Sequence, residues 1–251
     1  MNENFSTKRY WLLLRSTAVG GYRQLITMTA TLAGVIAVLA FLNNKSGDSF
    51  YTGLFGWILI VLGLILSSRG FLSLHDKTRN TLYLLTPASS LEKTLVPLLL
   101  FTIGFFVYLL VLFSVVSMVV EPLNYWVFGQ SRAWFNPFDP ALWKKLPDYL
   151  FLQSFYFLGA AWFRTAHFVK TTFSLLLTSV VITVFSLVVL RILFAPYWQA
   201  TTDVSINFQG VFESFSGGVK ALVYSIGVLW VFMCWYVVWL RVRETQVCDG
   251  V

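Results

Sequence analysis

Six long stretches of this chain contain no Asp, Glu, Lys or Arg: Gln24–Asn44, Ser49–Ser68, Thr94–Val120, Tyr149–Phe163, Thr171–Leu190 and Ala221–Leu240. Most are close to the ~20 residues a helix needs to cross about 30 Å of hydrocarbon. Inside lipid a backbone must satisfy its own hydrogen bonds, which favours helices over irregular chain. Composition agrees, because 12% charged residues against 57% hydrophobic cannot clothe a water-soluble domain of 251 residues, which needs about a quarter charged. The expected fold is an all-α integral membrane protein, a single transmembrane domain over 1–251. Its spans are expected at about 26–44, 50–68, 94–120, 148–166, 171–193 and 220–241, with outer loops at 121–147 and 194–219 and an inner loop at 69–93. The fourth stretch is short. Either its helix continues toward His167 with Arg164 snorkelling to the interface, or it forms a re-entrant hairpin.

Charge orients the spans. With the N-terminus inside, the inner segments hold twelve basic and five acidic residues, a net +7, and the outer segments hold six of each. The whole excess then lies on the cytoplasmic side, where Lys and Arg accumulate in membrane proteins, and both termini are expected there. The basic balance is thereby explained as topology, and nucleic acid is not expected as a partner. The run Trp11–Leu14 is too short for a signal-peptide core. Residues 1–25 read instead as an interfacial helix on the lipid bilayer, with Lys8, Arg9, Arg15, Ser16 and Arg23 on one arc and Tyr10, Trp11, Leu14, Ala18, Tyr22 and Leu25 on the other. A merely basic anchor ahead of the first span gives the same pattern.

Chemistry is sparse. No lysine follows a glycine, so no Walker A loop is present and ATP hydrolysis is not expected of this chain. Cys234 and Cys248 are too few for a disulfide framework, and His75 and His167 have no ligand-spaced neighbours, so no metal site is expected. No acid falls inside the six charge-free stretches, which leaves a proton relay or intramembrane protease without candidates. The spans carry small and mildly polar residues instead. Thr172, Ser179, Thr183 and Ser186 share about 60° of one helix, and Gly56, Gly63 and Ser67 share as little of another. Such stripes, like Gln153 and Ser154, either pack helices closely or line a translocation path.

The inner loop mixes charge with an apolar centre, Leu82, Tyr83, Leu84 and Leu85. It reads as a docking element or as an amphipathic loop resting on headgroups. Pro87 suits the first turn of a helix, and Ser89 with Glu92 has the S-x-x-E spacing of a capping box just ahead of Lys93 and the third span.

Here the chain resembles the permease subunits of type-2 ABC transporters, on Leu85-Thr86-Pro87-Ala88-Ser89-Ser90-Leu91-Glu92-Lys93. Phe157-Leu158-Gly159, Trp162-Phe163-Arg164 and Phe168-Val169-Lys170-Thr171 are similar to the fourth span and following inner loop of a bacterial subgroup of that family. The outer loop with Trp126, Trp134 and Trp143 is longer than that pattern. The resemblance implies the membrane half of an exporter in the bacterial cytoplasmic (inner) membrane, with no catalytic residue and no cofactor of its own. ATP and Mg would sit on a separate nucleotide-binding ATPase subunit, which would press on the loop and on an N-terminal helix marked by Trp11, Arg15, Tyr22 and Arg23. Two permeases would pair as a homodimer or with a related subunit. A scaffold that recruits a cytoplasmic partner through the same loop is the alternative. Beyond the fifth span, Phe208, Phe212 and Phe215 share one helical face, and Gly217-Gly218 reads as a flexible break. That segment is expected either as an outer gate or as a peripheral helix on the outer leaflet.

Overall fold

The structure is a computed structural model that describes residues 6–20, 22–42, 49–71, 89–129, 134–163, 165–193 and 217–248. Every regular element among them is helical. Five helical stretches are long and apolar enough to cross a bilayer: Tyr22–Leu42, Phe50–Ser68, Ser90–Phe128, His167–Leu193 and Gly217–Thr245. An all-helical chain with five such helices has the make-up of a multi-pass membrane protein.

The helices are α1 (Thr7–Gly20), α2 (Tyr22–Leu42), α3 (Ser49–Ser68), α4 (Ser90–Leu99), α5 (Phe105–Phe128), α6 (Pro140–Trp143), α7 (Lys145–Trp162), α8 (His167–Leu193) and α9 (Gly217–Cys248). Their ends differ from the sequence reading in four places. The N-terminal helix stops at Gly20, so Tyr22 and Arg23 open α2, where the Arg23 guanidinium donates to the Tyr22 hydroxyl at 3.1 Å. The third span is one rod of 39 residues in which a π-turn, Leu100–Gly104, joins α4 to α5. It passes Val120 and ends only at Gly129, whose φ of 66° closes the helix in the left-handed conformation that suits glycine. The fourth helix does not continue to His167, because Phe163 is extended and Ala166 has φ 52°. Its length comes from the other end, at Lys145, after Asp139 has capped α6 with Pro140 in its first turn. Last, Gly217 and Gly218 form the first turn of α9 rather than a break.

The shortest of these long helices is the centre of the bundle. α7 packs against α3, α8 and α9, and buries Tyr149, Gln153, Ser154, Tyr156, Phe157, Gly159, Ala160 and Ala161. On the face of α7 that is packed against protein, polar residues are tolerated once they are bonded. The small stripe of α3 is the surface it docks on. A Cβ at Gly56 would meet the Lys145 stem, one at Gly63 would meet the Tyr149 ring, and Ser67 accepts from Gln153 Nε2 at 3.1 Å. Positions 56, 63 and 67 thus meet 145, 149 and 153, so the two helices run parallel. The Tyr149 hydroxyl goes on to donate to the Phe101 carbonyl at 2.6 Å, within the π-turn that follows Pro97. Pro97 has no N–H to give, and an irregular turn frees carbonyls that need outside donors.

Candidate functional site

Glu92 joins elements far apart in the chain. It lies at N3 of α4, where its carboxylate accepts from the Ser89 N–H at 3.0 Å while the Ser89 hydroxyl accepts from the Glu92 N–H at 3.3 Å. This reciprocal pair is the capping box that the S-x-x-E spacing forecast. The same carboxylate reaches much farther along the chain. Its Oε1 accepts from the Ser6 N–H at 2.7 Å and lies 3.7 Å from the Arg9 guanidinium. Glu92 is fully buried and Lys93 beside it is 1% exposed, while the Arg9 side chain remains one-third open. A carboxylate taken out of water needs such charge-assisted bonds, and the positive end of α4 adds to them.

The outcome is mechanical. The first turn of α1 is fastened to the first turn of α4, and α9 packs on α4 as well. Near the end of α9, Arg241 lies over the Trp162 ring at 5.3 Å and pairs with Glu244 at 3.0 Å. Three helices therefore share one corner of the molecule, next to the point where the 69–93 loop re-enters the bundle.

Of the residues singled out in the loop, Ser89, Glu92 and Lys93 form this corner. Leu82, Tyr83, Leu84, Leu85 and Pro87 lie outside the described residues, as do Phe208, Phe212 and Phe215. On α1, Trp11 is 65% exposed and Arg15 is exposed, while Arg9, assigned to the solvated arc, turns onto Glu92. Gln153 packs helices: it bridges Ser67 of α3 and Thr102 of the π-turn, accepting from Thr102 at 3.1 Å. Ser179, Thr183 and Ser186 are exposed on α8, and the first two hydroxyls donate to carbonyls of their own helix at 2.8 Å. From Phe173 to Leu193 no α8 side chain is buried, so this stripe packs on no other helix of the described chain.

Ser6 and Arg9 are the Glu92 partners that sequence reasoning missed. The S-x-x-E pattern accounted for Glu92 completely as a local cap, and nothing in the residues around Arg9 points to a partner 83 positions on. No protein-family model, curated protein or solved structure matches this chain.

Proposed function

We propose that this chain is the membrane-embedded permease subunit of an ATP-driven ABC transporter of the exporter type, working with a separate ATPase subunit. The observation that carries the reading is the Glu92 junction, which fastens the N-terminal helix to the capped restart of the inner loop. A subunit driven from the cytoplasm needs a rigid receiver for the stroke, and two loop-proximal helices locked by one buried carboxylate supply it. In this reading α1 lies along the inner leaflet with Trp11 exposed to it, and both termini are cytoplasmic. α7 serves as a sixth crossing, since it runs parallel to α3 along Gly56, Gly63 and Ser67 and packs against α3, α8 and α9. The exposed length of α8 faces lipid or a second permease, identical or related, in the cytoplasmic membrane of a bacterium.

The scaffold reading uses the same loop but requires no stroke. Co-expression with a candidate ATPase subunit separates the readings. The pair is expected to co-purify in detergent and to hydrolyse ATP in a vanadate-sensitive manner. Leu84→Asp, which leaves the buried Glu92 junction intact, should release the ATPase while the helices remain folded by circular dichroism. Unchanged co-purification by this variant would refute docking at this loop, and a wild-type pair without ATPase activity would leave only the scaffold.

A further inference from the structure

One buried face of α5 carries polar groups that neither helix packing nor the docking corner uses. Ser117, Glu121 and Asn124 fall within about 60° of arc over two turns, and they are 1%, 4% and 2% exposed. Tyr51 of α3, itself buried, donates its hydroxyl to Glu121 Oε1. The other carboxylate oxygen, Oε2, is buried without a hydrogen bond, and so are both amide atoms of Asn124. Ser117 donates to the Ser114 carbonyl at 3.1 Å, which uses its proton and not its lone pairs. The ion pairs among the described residues are Arg9–Glu92 and Arg241–Glu244, and neither involves Glu121. Buried polar groups are satisfied in nearly all folded proteins, and a buried carboxylate without a cation is among the costliest exceptions.

We propose that this chamber binds one alkali cation between α3 and α5. Its donors are the hard oxygens such ions take: Glu121 Oε2, Asn124 Oδ1, Ser117 Oγ and the Tyr51 phenolic oxygen. Neighbours at i, i+3 and i+4 stand about 5–6 Å apart at Cβ, within reach of a single dehydrated ion. The Asn124 amide is committed to no other partner and can present its oxygen. One carboxylate neutralises one positive charge, whereas a divalent ion would leave a net charge buried in the same place. Binding ties the start of α3 to the last turns of α5, so the ion stabilises one arrangement of these helices. The proposal goes beyond the transporter reading and does not depend on an ATPase.

The test uses the full chain in detergent, without any partner. Thermal unfolding is followed in sodium, potassium and choline chloride at equal ionic strength, and bound ²²Na⁺ is counted. Sodium or potassium should raise the midpoint by about 3 °C or more over choline, with about one sodium ion held per chain. Glu121→Gln, which keeps the side-chain shape, and Asn124→Ala, which keeps the Tyr51–Glu121 bond, should each lose that rise and weaken sodium binding at least tenfold. Equal midpoints in the three salts with no ion bound would mean that ordered water fills the chamber, and would overturn the proposal. A rise that survives in both variants would place the ion elsewhere and overturn it equally. Protection by methylammonium but by neither metal ion would assign the chamber to an organic ammonium group instead.

Discussion

Glu92 shows how one side chain can do two jobs that sequence reveals unequally. Its role as the N3 partner of Ser89 is written in a four-residue pattern and is met in the structure. Its bond to the Ser6 N–H spans 86 residues and leaves no local trace. The magnitudes rank the substitutions. Glu92→Ala strips a buried acceptor from two N–H donors and a guanidinium and should cost about 3 kcal/mol. Arg9→Ala should cost less than Glu92→Ala, because its 3.7 Å contact is long, its side chain is one-third open, and the Ser6 and Ser89 N–H groups stay bonded to the carboxylate. Denaturation in detergent would give these values, and equal losses for the two would show that the ion pair, not the backbone donors, holds α1. Glu121 was missed for a related reason. A charge-based reading must end a span at the first acid, whereas the helix runs on to Phe128 and buries that acid inside the protein.

Helix α7 illustrates why apolarity alone misjudges an element. Its charge-free stretch of 15 residues is the shortest of the six, yet Tyr149 and Gln153 are fully buried because neighbouring helices surround them. The stripe of Gly56, Gly63 and Ser67 was visible in the sequence as a close-packing surface or a path lining, while its partner was not, since a small-residue stripe does not say which helix docks on it. Two substitutions weigh packing against hydrogen bonding at this contact. Gly63→Leu must displace the Tyr149 ring and its 2.6 Å bond to Phe101, and should destabilise by about 3 kcal/mol. Gln153→Leu removes two hydrogen bonds of similar length at constant bulk, and interhelical bonds of this kind are worth about 0.6 kcal/mol each. The glycine variant should therefore unfold first on heating, and a greater loss for Gln153→Leu would make polar bonding, not close approach, the basis of this contact.

At the scale of the molecule, the long charge-free stretches carry the all-helical, multi-pass character, because the bilayer imposes the length of a crossing whatever the function. In the transporter account both ends of the chain and the Glu92 corner face the cytoplasm. A single cysteine at Arg15, in a chain lacking Cys234 and Cys248, should react with an impermeant maleimide only in inverted vesicles, and one at Trp134 only in right-side-out vesicles. Reaction of both from the same side would exclude the assigned orientation. The central claim is narrower: α1 and the start of α4 move together when a bound ATPase closes. Spin labels at Ser16, Leu91 and Ser174, all exposed positions on α1, α4 and α8, measure it directly in the assembled complex. Trapping with ATP and vanadate should change the Ser16–Ser174 and Leu91–Ser174 distances by about 2 Å or more, while the Ser16–Leu91 distance holds. A Ser16–Leu91 distance that changes on trapping, or three distances that all stay fixed, would contradict the account.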